Sequence, residues 1–157
     1  LCTTLTDNQM QDLAAMVLLR EEFPGWIYQI RLGATTVWER WDGIRPDGSF
    51  NGHDMNSFNH YAYGSVGEWM YRRLAGIDLL EPGYKRILIA PRLLPGIDRV
   101  SASVESMYGT IACSVDYARR EMHVKIPPNT SAEIRLPDGT SEEKGSGSYR
   151  LCFEQPL

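Results

Sequence analysis

Glu81-Pro82-Gly83-Tyr84-Lys85-Arg86-Ile87-Leu88-Ile89-Ala90-Pro91 is where the chain changes period. Upstream, apolar residues recur at helical spacing and Trp and Met are frequent. Downstream, apolar residues alternate with polar ones, beginning with Ile87 and Ile89. A Pro-Gly pair suits the change, because neither residue continues a helix. The class this predicts is α+β, with helices and loops over 1–82 and a small antiparallel β-sandwich over 83–157.

The alternation recurs in Val100, Ala102 and Val104, in Ile111, Cys113 and Val115, and in Met122, Val124 and Ile126. It returns in Ala132, Ile134 and Leu136 and in Tyr149, Leu151 and Phe153. Tyr108-Gly109, Ala118 to Glu121, Pro127-Pro128-Asn129, Pro137-Asp138-Gly139 and Gly145-Ser146-Gly147 supply the turns. Several short strands with tight turns make a sandwich. Upstream, Thr6 and Gln9 have capping-box spacing for a helix through Arg20, with Met10, Leu13, Ala14, Val17 and Leu18 on its apolar side. Phe23-Pro24-Gly25 ends it, and a short helix over Trp26 to Ile30 follows. A third helical pattern spans Phe58 to Leu74, with Phe58, Ala62, Ser65, Val66, Trp69 and Met70 on one face. Gly64 and Gly67 inside it predict close packing against a neighbouring helix.

The chain has 157 residues, a net charge of −4 and scattered basic residues, which argues against nucleic acid as a partner. No apolar run reaches the length of a membrane span, and no signal peptide is visible. The first residues, Leu1-Cys2-Thr3-Thr4, lack an initiator Met, so any targeting segment would lie upstream and the compartment stays open. Cys2, Cys113 and Cys152 show no metal-ligand spacing and read as free thiols, Cys113 as a small core residue. No metal or cofactor is expected. Asn129-Thr130-Ser131 matches a glycosylation sequon, a signal that is often fortuitous.

Two stretches carry the chemistry. Gly33-Ala34-Thr35-Thr36-Val37-Trp38-Glu39-Arg40-Trp41-Asp42 sets a carboxylate between two indoles. Met55-Asn56-Ser57-Phe58-Asn59-His60-Tyr61-Ala62-Tyr63-Gly64-Ser65-Val66-Gly67-Glu68-Trp69 follows after a Gly- and Asp-rich loop over 42–52, which is either a wall of a site or a plain connection. Flat rings beside a few polar groups suit a sugar, whose C–H faces stack on indole and whose hydroxyls need polar partners. Composition alone leaves Glu39 ambiguous, since structural carboxylates also sit between aromatics.

Both stretches resemble segments of bacterial α-L-rhamnosidases, glycoside hydrolase family seventy-eight. Trp26, Tyr28, Gly33 to Thr36, Trp38, Glu39, Trp41 and Asp42 stand where the family pattern places such residues, and Asn59-His60 follows at the expected distance. Tyr84 to Pro91 resembles the first strand of the family's C-terminal domain. The resemblance implies the last helices of a six-hairpin α/α toroid followed by a small antiparallel β-sandwich. It implies inverting hydrolysis of terminal α-L-rhamnosyl linkages by two acidic residues, with Glu39 at the general-base position and His60 at a position that contacts rhamnose hydroxyls. A neutral imidazole that donates from one nitrogen and accepts at the other would suit a sugar diol.

Trp38 and Trp41 flank the base, either as a stacking face for substrate or as core, the core reading being the better. Trp69 reads as packing, and His53 and His123 as surface residues. Arg40 is not expected to pair with Glu39, since adjacent residues diverge on a helix. The family's general acid lies in an earlier part of the toroid, and Glu21, Glu22, Asp54 and Glu68 match no such motif. The helices should therefore show an apolar face awaiting the remainder of the toroid or self-association. The alternatives are a non-catalytic sugar-binding or structural β-sandwich module, and a six-hairpin glycosidase acting on another sugar.

Overall fold

The computed structural model describes residues 1–52 and 56–154, so the expectations for His53 and Asp54 lie outside the described residues. The chain forms two compact units, Leu1–Gly67 and Glu68–Leu157.

The first unit opens with two short helices, α1 (Cys2–Asp7) and α2 (Gln11–Leu18), where one capped helix was expected. Thr6 lies inside α1, and its hydroxyl donates to the Cys2 carbonyl at 2.9 Å instead of capping. Gln9 takes φ 60°, and the bonds Met10 N–H to Leu5 O (2.8 Å) and Gln9 N–H to Thr6 O (3.1 Å) close a Schellman end. A left-handed residue there stops α1 whatever the side-chain spacing suggests. On α2, Ala14, Ala15 and Leu18 are buried, whereas Leu13 and Met16 face outward.

Helix α3 (Trp26–Arg31) starts at Gly25, where a Cβ would lie 2.7 Å from the Arg20 carbonyl oxygen. Residues 34–43 form no helix and no ladder. The later helical run begins at Tyr61 rather than Phe58, as α4 (Tyr61–Gly64), α5 (Val66–Trp69) and a π turn over Met70–Leu74. Its expected face is buried only in part: Trp69 is buried, while Ala62, Ser65 and Met70 are exposed. The close packing expected at its glycines is also absent among the described residues. A Cβ at Gly67 would meet open space, and one at Gly64 would reach only Val37, at 4.0 Å.

The second unit is a sandwich of two four-stranded sheets. One has the order β1 (Ile77–Leu79), β2 (Arg86–Ile89), β6 (Ser131–Arg135), β7 (Ser141–Lys144). The other has the order β3 (Arg99–Ser106), β4 (Gly109–Asp116), β5 (Glu121–Ile126), β8 (Gly147–Cys152). Period-two burial explains the packing. Ile111, Cys113 and Val115 of β4 and Met122, Val124 and Ile126 of β5 join Ile77, Ile87, Ile89, Ala132 and Ile134 of the first sheet in one core. Burial pushes the Cys113 thiol up to about 12.

One pair departs from the antiparallel expectation, since β2 and β6 run parallel. A parallel pair needs a long crossover, and β3, β4 and β5 of the opposite sheet supply it. Pro127-Pro128-Asn129 accordingly carries the chain from one sheet to the other rather than closing a hairpin.

The strands also begin earlier than the change of period, with β1 ahead of Glu81. Gly76 permits this: at φ 74°, a Cβ there would stand 2.1 Å from the Pro91 nitrogen and 2.2 Å from the Ala90 carbonyl carbon. Asp78 in β1 is almost completely buried. Arg72 Nε and Arg73 Nη1 donate to its two oxygens at 2.9 and 2.8 Å, and the Leu79 N–H adds a third bond at 2.8 Å. Burial alone would raise this carboxyl, but the bonds from Arg72, Leu79 and Arg73 together hold it below the ordinary aspartate range.

Candidate active site

Glu39 sits on an irregular segment of the first unit, not on a helical turn. Its backbone N–H donates to the Ser57 carbonyl at 2.9 Å, and the His60 N–H donates to the Val37 carbonyl at 2.8 Å. The Thr36 hydroxyl donates to the Phe58 carbonyl. These bonds lay 36–39 alongside 57–60, which brings the two sequence stretches together. The Ser57 N–H then donates to Glu39 Oε2 at 3.1 Å. The carboxylate is partly exposed, and among the described residues Oε1 accepts no protein hydrogen bond. A carboxylate with one oxygen tethered and the other open can accept a proton from water.

The indoles differ. Trp38 is 3% exposed and meets the Phe58 ring edge-on at 5.6 Å, which is packing. Trp41 is partly exposed, stacks on Tyr63 at 3.9 Å, and takes the edge of Trp26 at 5.2 Å. The Trp26 Nε1–H donates to the Tyr63 carbonyl at 3.2 Å, tying this cluster to α4.

His60 precedes α4 and caps it. Its Nδ1 accepts from the Ala62 N–H at 3.1 Å. That bond places the proton of the neutral ring on Nε2, so the imidazole offers an outside ligand a donor only. The donor-and-acceptor role expected from sequence is thereby halved, because the acceptor is spent on the helix.

Arg40 pairs with Asp42 at 3.4 Å and not with Glu39. The other Asp42 oxygen accepts from Asn51 Nδ2 at 2.6 Å, and the Asn51 N–H returns to the Gly43 carbonyl at 3.1 Å. The glycine loop is thus closed on itself at its base. At its tip the Ser49 hydroxyl, and then the Ser49 N–H, hold the Asp47 carboxyl below its usual range. Glu21 is engaged by Arg31 at 2.5 Å, and in the second unit Glu68 by Arg72 at 2.7 Å. Among the described residues no group of His, Cys, Asp and Glu is arranged to hold a metal, and no helix is long and apolar enough to cross a membrane.

Three participants were missed from sequence: Gln29, Asn51 and the Ser57 backbone. Gln29 is 2% exposed and donates from Nε2 to the Arg40 carbonyl at 2.9 Å. A lone amide inside Trp26-Ile27-Tyr28-Gln29-Ile30 was its only signal. Shallow concavities among the described residues of the second unit include one of about 330 Å³ beside Ser114, His123, Lys125 and Arg150, and one of about 500 Å³ beside Tyr71, Leu79 and Tyr84. His123 lies exposed on β5, 3.8 Å from Glu121.

Comparison with known proteins gives the family of the chain. Residues 1–74 match the bacterial alpha-L-rhamnosidase six-hairpin glycosidase domain, and residues 76–150 match the bacterial alpha-L-rhamnosidase C-terminal domain. An alpha-L-rhamnosidase of Streptomyces avermitilis is 44% identical over 174 aligned residues, covering 96% of this chain and 17% of the relative. One from Formosa agariphila is 45% identical over 133 residues, covering 83% and 14%. The crystal structure of the Streptomyces avermitilis enzyme complexed with L-rhamnose superposes with a TM-score of 0.88 at 39% identity, over 98% of this chain and 17% of that one. The native enzyme of Aspergillus terreus gives 0.87 at 35% identity, over 95% and 18%. The chain therefore spans about a sixth of the length of these relatives.

Proposed function

This chain belongs to the bacterial α-L-rhamnosidase family as a C-terminal portion, and we propose that in the intact protein it supplies the general base of an inverting α-L-rhamnosidase. The carrying observation is Glu39, with Oε2 held by the Ser57 N–H and Oε1 open. Inversion requires an ionised carboxylate that takes a proton from water as its oxygen attacks the anomeric carbon. A separate acid, from the part of the protein beyond this chain, protonates the departing glycosidic oxygen. The substrate is a terminal α-L-rhamnosyl linkage in a glycan or glycoside, a reading supported by the L-rhamnose bound to the Streptomyces relative.

His60 donates from Nε2–H to a sugar hydroxyl. The partly exposed Trp41 forms a wall of the sugar site, and the buried Trp38 supports the base from beneath. The outward apolar residues of the first unit, Leu13, Met16 and Ile30 among them, are covered by the remainder of the toroid, or by self-association when the chain is alone.

Glu39→Gln in the intact protein tests the reading. It keeps the shape and removes the basic oxygen, so kcat on an aryl α-L-rhamnoside should fall about 10²–10⁴-fold while L-rhamnose binding persists. The first product seen by NMR should be the β anomer. Near-normal turnover by the variant, or an α product, would remove Glu39 from the proposed role. Turnover of another glycoside but not of rhamnosides would favour a six-hairpin glycosidase of different specificity. Sugar binding without turnover by the intact protein would favour a non-catalytic module.

A further inference from the structure

We infer that Gln29 is a positioning residue for the Glu39 carboxylate, an inference that rests on the proposed role of Glu39. The segment around Glu39 belongs to no helix or sheet, so repeated backbone bonds do not locate it. On one side it is held by 57–60, through Glu39 N–H to Ser57 O, Ser57 N–H to Glu39 Oε2, His60 N–H to Val37 O and the Thr36 hydroxyl to Phe58 O. All four bonds engage one neighbouring stretch. A hinge motion of 36–43 about that stretch would keep the other three and still swing the carboxylate off the Ser57 N–H.

Gln29 closes this freedom from another element. It lies on α3, almost wholly buried, and donates to the Arg40 carbonyl at 2.9 Å, one residue beyond the base. The same carbonyl accepts from the Gly43 N–H at 3.2 Å, which folds the turn into the glycine loop. Arg40 O is therefore the point where α3, the base segment and the loop are pinned together. A buried amide is costly unless bonded, so its placement there fixes both partners. Methionine in its place would fill the volume and leave the Arg40 carbonyl without the amide.

The experiment uses the intact protein and four variants: Gln29→Met, Gln29→Asn, Glu39→Gln and Gln29→Met combined with Glu39→Gln. Gln29→Asn withdraws the donor by one methylene while keeping an amide, and serves if the Met protein does not fold. Either single substitution at Gln29 should lower kcat about tenfold or more, the scale of a misplaced catalytic group, with KM within about twofold. In the Glu39→Gln background the Met substitution should cost no further rate, because nothing remains to position. An unchanged kcat for a folded Gln29 variant, or an equal loss in both backgrounds, overturns the positioning role while leaving Glu39 in place. Near-normal activity of Glu39→Gln alone would instead overturn the general-base reading on which it rests.

Discussion

The two units solve the problem of burial differently. In the sandwich, Ile87, Ile89, Ile111, Val115, Met122 and Ile134 are completely buried among one another, and both sheets contribute to a closed core. In the helical unit, Met16 is 62% and Ile30 59% exposed, and the segment bearing Glu39 depends on a few individual hydrogen bonds. The sandwich closes its core with its own strands. The helical unit leaves more of its apolar surface open and holds the proposed base by individual bonds. A site held by single tethers can be altered without disturbing the fold, and a sealed core cannot.

The contrast is broken most forcefully from the sandwich side. Ile134→Ala removes a fully buried side chain between the sheets and should destabilise the second unit by about 4 kcal/mol, read from its denaturant midpoint. A loss below ~1 kcal/mol would mean that the core is less closed than its burial implies.

Asp78→Asn comes next, at about 3 kcal/mol, because two arginines would lose their buried carboxylate. The folded carboxyl titrates below its unfolded value, so its contribution is full above the ordinary aspartate range and disappears as pH falls through the folded value. Acid unfolding of the wild type should therefore steepen there, and the Asn variant should lack that component. An identical pH dependence of the two would refute the assignment.

On the helical side, His60→Asn separates two roles, since asparagine is a good helix cap but lacks the Nε2 donor. In the intact protein, rhamnose affinity should drop by about 1–3 kcal/mol with the melting temperature unchanged. A lower melting temperature with intact affinity would make the histidine a cap and nothing more. The smallest effect is expected from Met16→Ser, within about 0.5 kcal/mol in this chain, because its side chain gains little burial here. In the intact protein the same change should cost more if the rest of the toroid covers it; equal costs in both would show that this face is never covered.

The sandwich was legible because alternation in sequence is alternation in space: Ile111, Cys113 and Val115 can share a face only as a strand. The strands that escaped notice had no such signal. β7 is Ser-Glu-Glu-Lys, and β1 buries an aspartate whose charged partners lie outside it. The parallel pairing of β2 with β6 is set by topology, which no local pattern encodes. The helical unit was harder because Gln9 breaks a good helical pattern through its backbone, and a left-handed glutamine is not announced by composition. In the site, the family resemblance brought Glu39 and His60 into view, while Gln29 acts through a bond to a backbone carbonyl that any residue could offer.

The fit at Gly76 bears on how such proteins can be recombined. Its backbone lies against Ala90 and Pro91 with no room for a methyl group, although fourteen positions separate Gly76 from Ala90 along the chain (90 − 76 = 14). A genetic crossover between β1 and β2, including one at the inviting Pro82-Gly83, would join a parent's β1 to another parent's β2 and require two independently drifting backbones to meet at van der Waals contact. A crossover upstream of Glu68 keeps the arginine clamp, β1 and that contact in a single inheritance. The heritable module is thus longer at its front than the run of alternating residues, and a library of chimeras cut at Gly83 should be enriched in misfolded sandwiches relative to one cut at Gly67.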